Sequence, residues 1–266
     1  MLARVTAIPE PVRQLALHPF RVLPAGPSVH RIDCGGAQIS INPWPSAQIV
    51  EPLGGGPDDV PAAVAAARET ASAHGKTTVA WWVAPEHDRL APELEKLGLV
   101  NEDTPGFEAI ENTMALVSQP AGAPVEDVEV RIAESFDDFR AGGEVARTVF
   151  NLTSVTDEDF RARYDEYARP SNPGRQFIAT VEGRVVAAAY AALGEAGVNL
   201  FGGAVLPEAR SRGVYRALTQ ARWEFAVERG TPALTVQAGR MSKPICDRLG
   251  FVDVAPVRLY VDDLTR

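Results

Sequence analysis

Residues 202 to 223 read GGAVLPEARSRGVYRALTQARW. An apolar run breaks at Pro207, passes Arg210, Arg212 and Gly213, and resumes with Val214, Ala217, Leu218, Ala221 and Phe225. Those five apolar positions recur at the spacing of one helix face, whereas the residues before Pro207 read as the end of a strand. A strand that feeds directly into a helix leaves the first-turn N–H groups without partners, and together with the helix dipole they favour an anion. Gly213 lacks a β-carbon and lets the backbone come close to a bulky guest, while the two arginines add charge-assisted donors. Phosphate suits such a junction. The alternative is a plain helix start with two solvated arginines, because one glycine in such a loop carries little information.

The flanking sequence extends the pattern both ways. Upstream, VEVRIAE from 128 reads as a strand, FDDFRAGGEVARTVF and DEDFRARYDEYA as helices, and RQFIATVEGRVVAAAYAAL as a hairpin turning near Glu182-Gly183. GVNLFGGAVL is a third strand that leads into the junction; downstream, ALTVQA is a strand and SKPICDRLGF a short helix.

A second stretch repeats this order. AAVAAARETASAHGKTTVAWWVAPEHDRLAPELEKLGLV (62–100) and RALTQARWEFAVERGTPALTVQAGRMSKPICDRLGFV (216–252) each run alanine-rich helix, glycine stop, apolar strand, short helix, Leu-Gly. The closing EKLGLV and DRLGFV match residue type by residue type. The expectation is an α/β chain with a mixed, mostly antiparallel sheet flanked by helices, present as two copies. They span 1–122 and 128–266 and are joined through SQPAGAPVED (118–127), rich in small residues and proline. The first copy is incomplete: VHRIDCGGAQISINPW reads as a hairpin, with too few residues before it for the two helices of the second copy.

Composition narrows the function. A formal net charge of -9 over 266 residues argues against a nucleic-acid partner, so any anion must be met by a local basic cluster. No apolar stretch approaches the roughly 20 residues of a membrane span, and MLARVTAIPEPVRQ lacks the apolar core of a signal peptide, which sets the expected location as cytoplasmic. Cys34 and Cys246 follow no metal-ligand spacing, and His18, His30, His74 and His87 all lie in the first 90 residues, so neither a metal site nor a disulfide is expected.

The stretch AVLPEARSRGVY resembles the coenzyme A signature of the GNAT acyltransferase superfamily: apolar strand, proline, then Arg/Gln-x-x-Gly-x-Gly/Ala at a helix start. Arg210 and Gly213 match, and Tyr215 stands in the last place. The order of elements from 128 to 266 resembles that fold as well. The resemblance implies that Gly203, Ala204 and Val205 lend backbone groups to the pantetheine arm. It also implies that the amides of Arg210, Ser211, Arg212, Gly213, Val214 and Tyr215 hold the pyrophosphate. Acetyl-CoA is then the co-substrate, and the acceptor is the amine of a small molecule or peptide, with no membrane or nucleic-acid partner and room for a homodimer. The repeated half suggests a tandem arrangement, also known in this superfamily, with one copy degenerate. A protein that binds coenzyme A without transferring an acyl group is the rival reading.

The catalytic groups are less legible. Counting back four from Gly250 reaches Cys246, where many relatives carry a tyrosine that protonates the departing thiolate. A buried packing role is the commoner fate of a free cysteine, and proton donation is the alternative. VNLFGGAVL offers no carboxylate or histidine as a base; Asn199 can orient a water, and Tyr190 and Glu144 are the other polar candidates, each with a structural role as its bland reading. In the first copy the corresponding helix start, VEPLGGGPDDVPAAVA (50–65), carries no arginine. Asp58 and Asp59 there are expected to occupy the anion site themselves, leaving a structural copy with Trp81 or Trp82 at its boundary or in its core.

Overall fold

A computed structural model describes residues 7–42, 46–51, 59–103, 108–152 and 155–265 of the chain. The first half supplies helices α1 (Glu10–Leu17) and α2 (Pro19–Val22), strands β1 (His30–Cys34), β2 (Ala37–Ile41) and β3 (Ser46–Glu51), helix α3 (Val60–Ala73), β4 (Thr78–Val83), α4 (Ala91–Lys96) and β5 (Ile110–Leu116). The second supplies β6 (Glu129–Ile132), α5 (Phe136–Val149), α6 (Asp157–Tyr167), β7 (Gly174–Val181), β8 (Arg184–Gly194), β9 (Gly197–Val205), α7 (Val214–Glu228), β10 (Leu234–Ala238), α8 (Lys243–Leu249) and β11 (Val252–Asp263). Every element expected after residue 128 is present. Local chemistry explains the boundaries: Ser135 caps α5 by accepting from the Asp138 amide, and Thr156 and Asp159 form a reciprocal capping box on α6. The repeated unit is visible as α3–β4–α4 and α7–β10–α8, and the short helices end at Gly98 and Gly250 with φ of 88° and 94°.

All the strands among the described residues join one sheet, in the order β1-β2-β3-β4-β11-β5-β10-β9-β8-β7-β6. Pairing is antiparallel except for β3–β4 and β9–β10. At the centre the halves exchange strands. β5 follows β4 in the chain but pairs with β10, while β11 follows β10 but pairs with β4, and β5 and β11 pair with each other. Packing follows the exchange: Met114 and Leu116 of β5 are buried with Leu218, Leu234 and Leu249, whereas Tyr260 of β11 is buried with Val64, Ile39 and Trp81. Arg68 of α3 holds buried Asp262 of β11 through two hydrogen bonds of 2.7 and 3.0 Å. Helices α5 and α6 cover the opposite face, with Phe139 and Val145 of α5 and Tyr164 and Tyr167 of α6 in one cluster with Ile178 of β7.

Two helices do form before the first hairpin, contrary to the expectation that too few residues precede it. They are short, at eight and four residues, and α1 buries Val12, Leu15, Ala16 and Leu17 across the shared strands. A helix of two turns is marginal alone and is held by tertiary packing; full burial of one leucine contributes about 1.5–3 kcal/mol. Trp81 lies in the first half's core, and Trp82 lies at the seam, packed beside Leu17 and Leu259 and stacked on Phe20 at 6.4 Å.

Candidate functional site

Strands β9 and β10 run side by side for three residue pairs, ending at Leu200 and Val236, and then part. Beyond that point β9 stays on β8, with a register shift opposite Gly202 and Gly203, while Gln237 and Ala238 of β10 pair with Thr113 and Asn112 of β5. The parting opens a cleft of about 880 Å³. Leu200 to Gly203 form one wall, Val236, Gln237 and the 239–245 segment the other, and the loop into α7 closes one end.

That loop is built for close approach. After a short turn at Pro207–Ala209, Ser211 and Gly213 both take left-handed backbone, with φ of 64° and 80°. Gly213 is the N-cap of α7 and supplies no side chain; the Ala217 amide is the first to bond back, to the Gly213 carbonyl at 3.0 Å. The amides of Val214, Tyr215 and Arg216 are therefore without a partner inside the helix, as at any uncapped helix start. Arg210 reaches back to the Val205 carbonyl at 3.3 Å, and exposed Arg212 stands 3.6 Å from Glu182. Arg216, which sequence reasoning passed over, lies against Gly213 and Gly122 and lines the cleft, with its Nε buried and unpaired. Its place three residues after Gly213 was the available signal.

Tyr215 turns away from the open amides and packs on β9: a β-carbon at Gly203 would meet its ring at 2.9 Å, so only glycine permits this contact. Its phenol points to the Cys246 thiol and to Arg222. Burial pushes it above its ordinary value, an effect that the Cys246 charge adds to and the Arg222 charge opposes. Cys246 is 1% exposed in the core under α8, and burial pushes its thiol up to about 11. Arg222 is itself buried, with Nε donating to the Leu218 carbonyl at 3.0 Å.

The other polar candidates stand elsewhere. Asn199 is buried on the sheet face that α1 crosses and accepts from Thr235 Oγ1 at 2.7 Å; Tyr190 accepts from Gln176 at 3.2 Å beneath α5; neither lines the cleft. Glu144 pairs with Arg147 on its own helix at 2.8 Å.

The cleft has a carboxylate that the sequence did not single out. Along β5 the side chains alternate: Met114 and Leu116 face α7 and α8, so Glu111 and Thr113 face the other way, on the same side as Gln237, the register partner of Thr113. Glu111 is 6% exposed and lines the cleft. Burial pushes its carboxyl up to about 7; a 3.3 Å hydrogen bond from the Glu108 amide opposes this, and the Glu108 charge adds to it. Asp103 and Glu108 stand at the rim, tied to Arg240, and Val149 and Phe150 at the end of α5 close the far side.

No protein-family model and no curated protein sequence matches the chain. Solved structures do. A GCN5-related N-acetyltransferase from Kribbella flavida superposes with a TM-score of 0.68 at 18% identity, over 94% of this chain and 95% of that one. One from Sphaerobacter thermophilus superposes with a TM-score of 0.64 at 17% identity, over 86% and 77%. A tandem GNAT protein from the clavulanic acid biosynthesis pathway gives 0.60 at 16% identity, over 95% and 87%. At such identities the likeness is one of architecture, and it covers both halves: the chain has the fold of the GCN5-related N-acetyltransferases, in tandem.

Proposed function

We propose that this protein is an acyl-coenzyme A-dependent N-acetyltransferase. Its active domain is residues 128–266, and 1–122 is a degenerate domain without a coenzyme A signature. The observation that carries the reading is the parting of β9 and β10 beside an uncapped helix start whose N-cap, Gly213, has φ of 80°. The residues present fit the group. Unpaired amides and Arg210, Arg212 and Arg216 suit a pyrophosphate at the head of α7, and the unpaired strand edge at Gly203, Ala204 and Val205 suits the amides of a pantetheine arm. Tyr215 against Gly203 narrows that channel without crossing the helix start.

In this reading acetyl-CoA supplies an activated acyl group and the chain supplies placement. The amides of Val214, Tyr215 and Arg216 fix the phosphates, whereas the Arg210 amide, expected among them, is held by the Pro207 carbonyl at 3.2 Å; the parted strands hold the thioester where an amine of a small molecule or peptide meets it from the α5 side. Holding both partners in attack geometry removes much of the entropic barrier, and a backbone N–H at the break of β9 can polarise the thioester carbonyl. Cys246, buried with a raised thiol, serves as packing. Calorimetric titration with acetyl-CoA is expected to give one site per chain, and addition of an amine to release free thiol. No binding removes the proposal; binding without thiol release under any amine leaves a coenzyme A-binding module.

A further inference from the structure

We propose that Glu111, carried into the second half's sheet by the strand exchange, is the general base that deprotonates the acceptor amine. This rests on the transferase reading above. An amine arrives at neutral pH as an ammonium ion and must lose a proton before it attacks, so the site needs a proton acceptor on the side where the amine enters. β9 offers none between Gly197 and Val205.

Among the described residues the carboxylates lining the cleft are Asp103, Glu108 and Glu111. The first two are engaged: Asp103 binds the Arg240 guanidinium at 2.6 Å, and Glu108 accepts from the Arg240 amide at 2.9 Å. Glu111 differs on both counts. It is buried, and its one hydrogen bond is the 3.3 Å contact from the Glu108 amide, with no cation paired to it among the described residues. Its surroundings leave that state undisturbed. Arg240 is spent on Asp103 and Glu108, Arg258 on the adjacent β11 is turned to Asp88 at 3.3 Å, and Gln237 stands between the cleft and the His18–Glu86 pair. A lone buried carboxylate favours its neutral form and takes up a proton readily.

Sidedness completes the geometry. The helix start that suits the pyrophosphate lies on the α7–α8 face, with Met114 and Leu116, whereas Glu111 opens to the opposite face with Gln237 and Phe201. Arm and base thus approach the parted strands from two sides. The carboxylate takes one proton from the ammonium; the freed nitrogen forms a bond to the thioester carbonyl carbon; the carbon–sulfur bond breaks, and the remaining surplus N–H proton accompanies the sulfur as free thiol. Glu111 then gives its proton to solvent, so that ammonium and thioester become amide, thiol and one released proton. The N-terminal half thereby contributes to the chemistry of its partner half.

The test uses the full chain and Glu111→Gln, with tyramine, spermidine or water as the acceptor. Wild-type thiol release should rise with pH through about 7 and then level. In Glu111→Gln the inflection should disappear and the rate fall by about 100-fold or more, with acetyl-CoA affinity by calorimetry held within about twofold. Infrared difference titration should show a protonated-carboxyl band that fades near neutral pH in the wild type and is missing in Glu111→Gln. A variant that keeps rate and inflection, or a band that persists in it, overturns the base, whereas a wild type that binds acetyl-CoA and releases no thiol with any acceptor leaves a coenzyme A-binding module and takes the transferase reading, and the base with it, down. Loss of acetyl-CoA binding in the wild type would likewise bring down the transferase reading, while the infrared band would still report the buried carboxyl.

Discussion

The two halves meet the same architectural problem at the parting of their parallel strands and solve it oppositely. In the second half β9 and β10 diverge into a cleft of about 880 Å³, and α7 begins at a left-handed glycine among three arginines. In the first half β3 and β4 pair for four residues, and among the described residues Trp82 of β4 together with Phe20 and His18 from the α1–α2 segment leaves beside Ile49 and Val50 a pocket of about 10 Å³. There α3 begins at Asp59 in ordinary helical backbone, and its exposed side chain makes no capping bond, so the expected self-occupation of the anion site is not seen at this residue; Asp58 lies outside the described residues. Among the described residues, a short helix plugs the gap in the first half. The fold therefore does not dictate a binding site; the side chains at the parting decide whether there is one.

The largest effect should come from cutting the comparison in two. Each half takes its central strand from the other, so residues 1–122 and 128–266 produced separately should each expose an unpaired strand edge and lose part of their core, Tyr260 in one case and Met114 with Leu116 in the other. Neither piece is expected to show native circular dichroism or a cooperative transition, and mixing both should restore them. A half that folds alone would show that the exchange is dispensable.

Next comes the helix start. In Gly213→Val a branched side chain meets Val125 at 3.1 Å and is forced into φ of 80°, which displaces the loop from its close approach to an anion. Losing two charge-assisted contacts of about 1.5–3 kcal/mol each should weaken acetyl-CoA by roughly 100-fold or more. Arg216→Glu, which leaves the backbone alone, should weaken it in the same direction and guards against misfolding of the valine variant. Residual binding of one equivalent in both would relocate the site, with the first half as the place to look.

What the sequence disclosed divides along physical lines. The elements after residue 128 were legible because amphipathic periods, caps and glycine stops are local properties, and so was the repeat. The exchange was not: β5 and β11 are strands of ordinary composition, and nothing in IENTMAL or VDVAPVRLYVDD says which neighbour each will pair with. Nor could α1 be read, because its stability comes from the seam beneath it. At the candidate site, Arg210, Gly213 and the strand before them were singled out by spacing, whereas Glu111 was one acid in an apolar strand whose place in the cleft depended on a partner strand from the other half. Tyr215 was noticed as an intruder, and its contact with Gly203 explains how the chain accommodates it.

A smaller effect distinguishes packing from chemistry at the two cysteines. Each half buries one: Cys34 is 2% exposed and Cys246 1% exposed, and burial pushes both thiols up to about 11. Cys246→Ser puts a more strongly polar hydroxyl into a core whose polar groups near it are the Tyr215 phenol and Arg222, at a cost of about 1–2 kcal/mol, or a few degrees of melting temperature for a chain of this size. Cys246→Ala should leave acetyl-CoA binding and the pH profile of thiol release unchanged. A large loss of rate with binding intact, accompanied by loss of an alkaline inflection, would make Cys246 the proton donor instead.

The smallest effect concerns acid. All the histidines belong to the first half, and two of them meet at its plug: His18, between α1 and α2, is 8% exposed with Nε2 2.7 Å from Glu86, and His87, in the turn after β4, meets it edge-on at 5.9 Å with a buried, unpartnered Nδ1. Burial, the largest influence, lowers both imidazoles from their ordinary 6.5, and the charge of Arg21 works in the same direction while Glu86 works against it. An imidazole with a folded value below its unfolded one is protonated first in the unfolded chain, so its contribution is complete above about 6.5 and is lost as the pH falls further. Glu111 acts in the opposite sense: raised to about 7, it is protonated first in the folded chain, and stability gained there as the pH drops offsets part of the histidine loss. Urea denaturation from about pH 7.5 to about 5 should therefore show a shallow decline for the wild type and a steeper one for Glu111→Gln, since removing the compensating group exposes the histidines. Adding His87→Gln to that variant should flatten the curve again. Equal slopes in the wild type and Glu111→Gln would mean that Glu111 does not titrate near neutrality, and the assignment of a buried base in the cleft would fall with it.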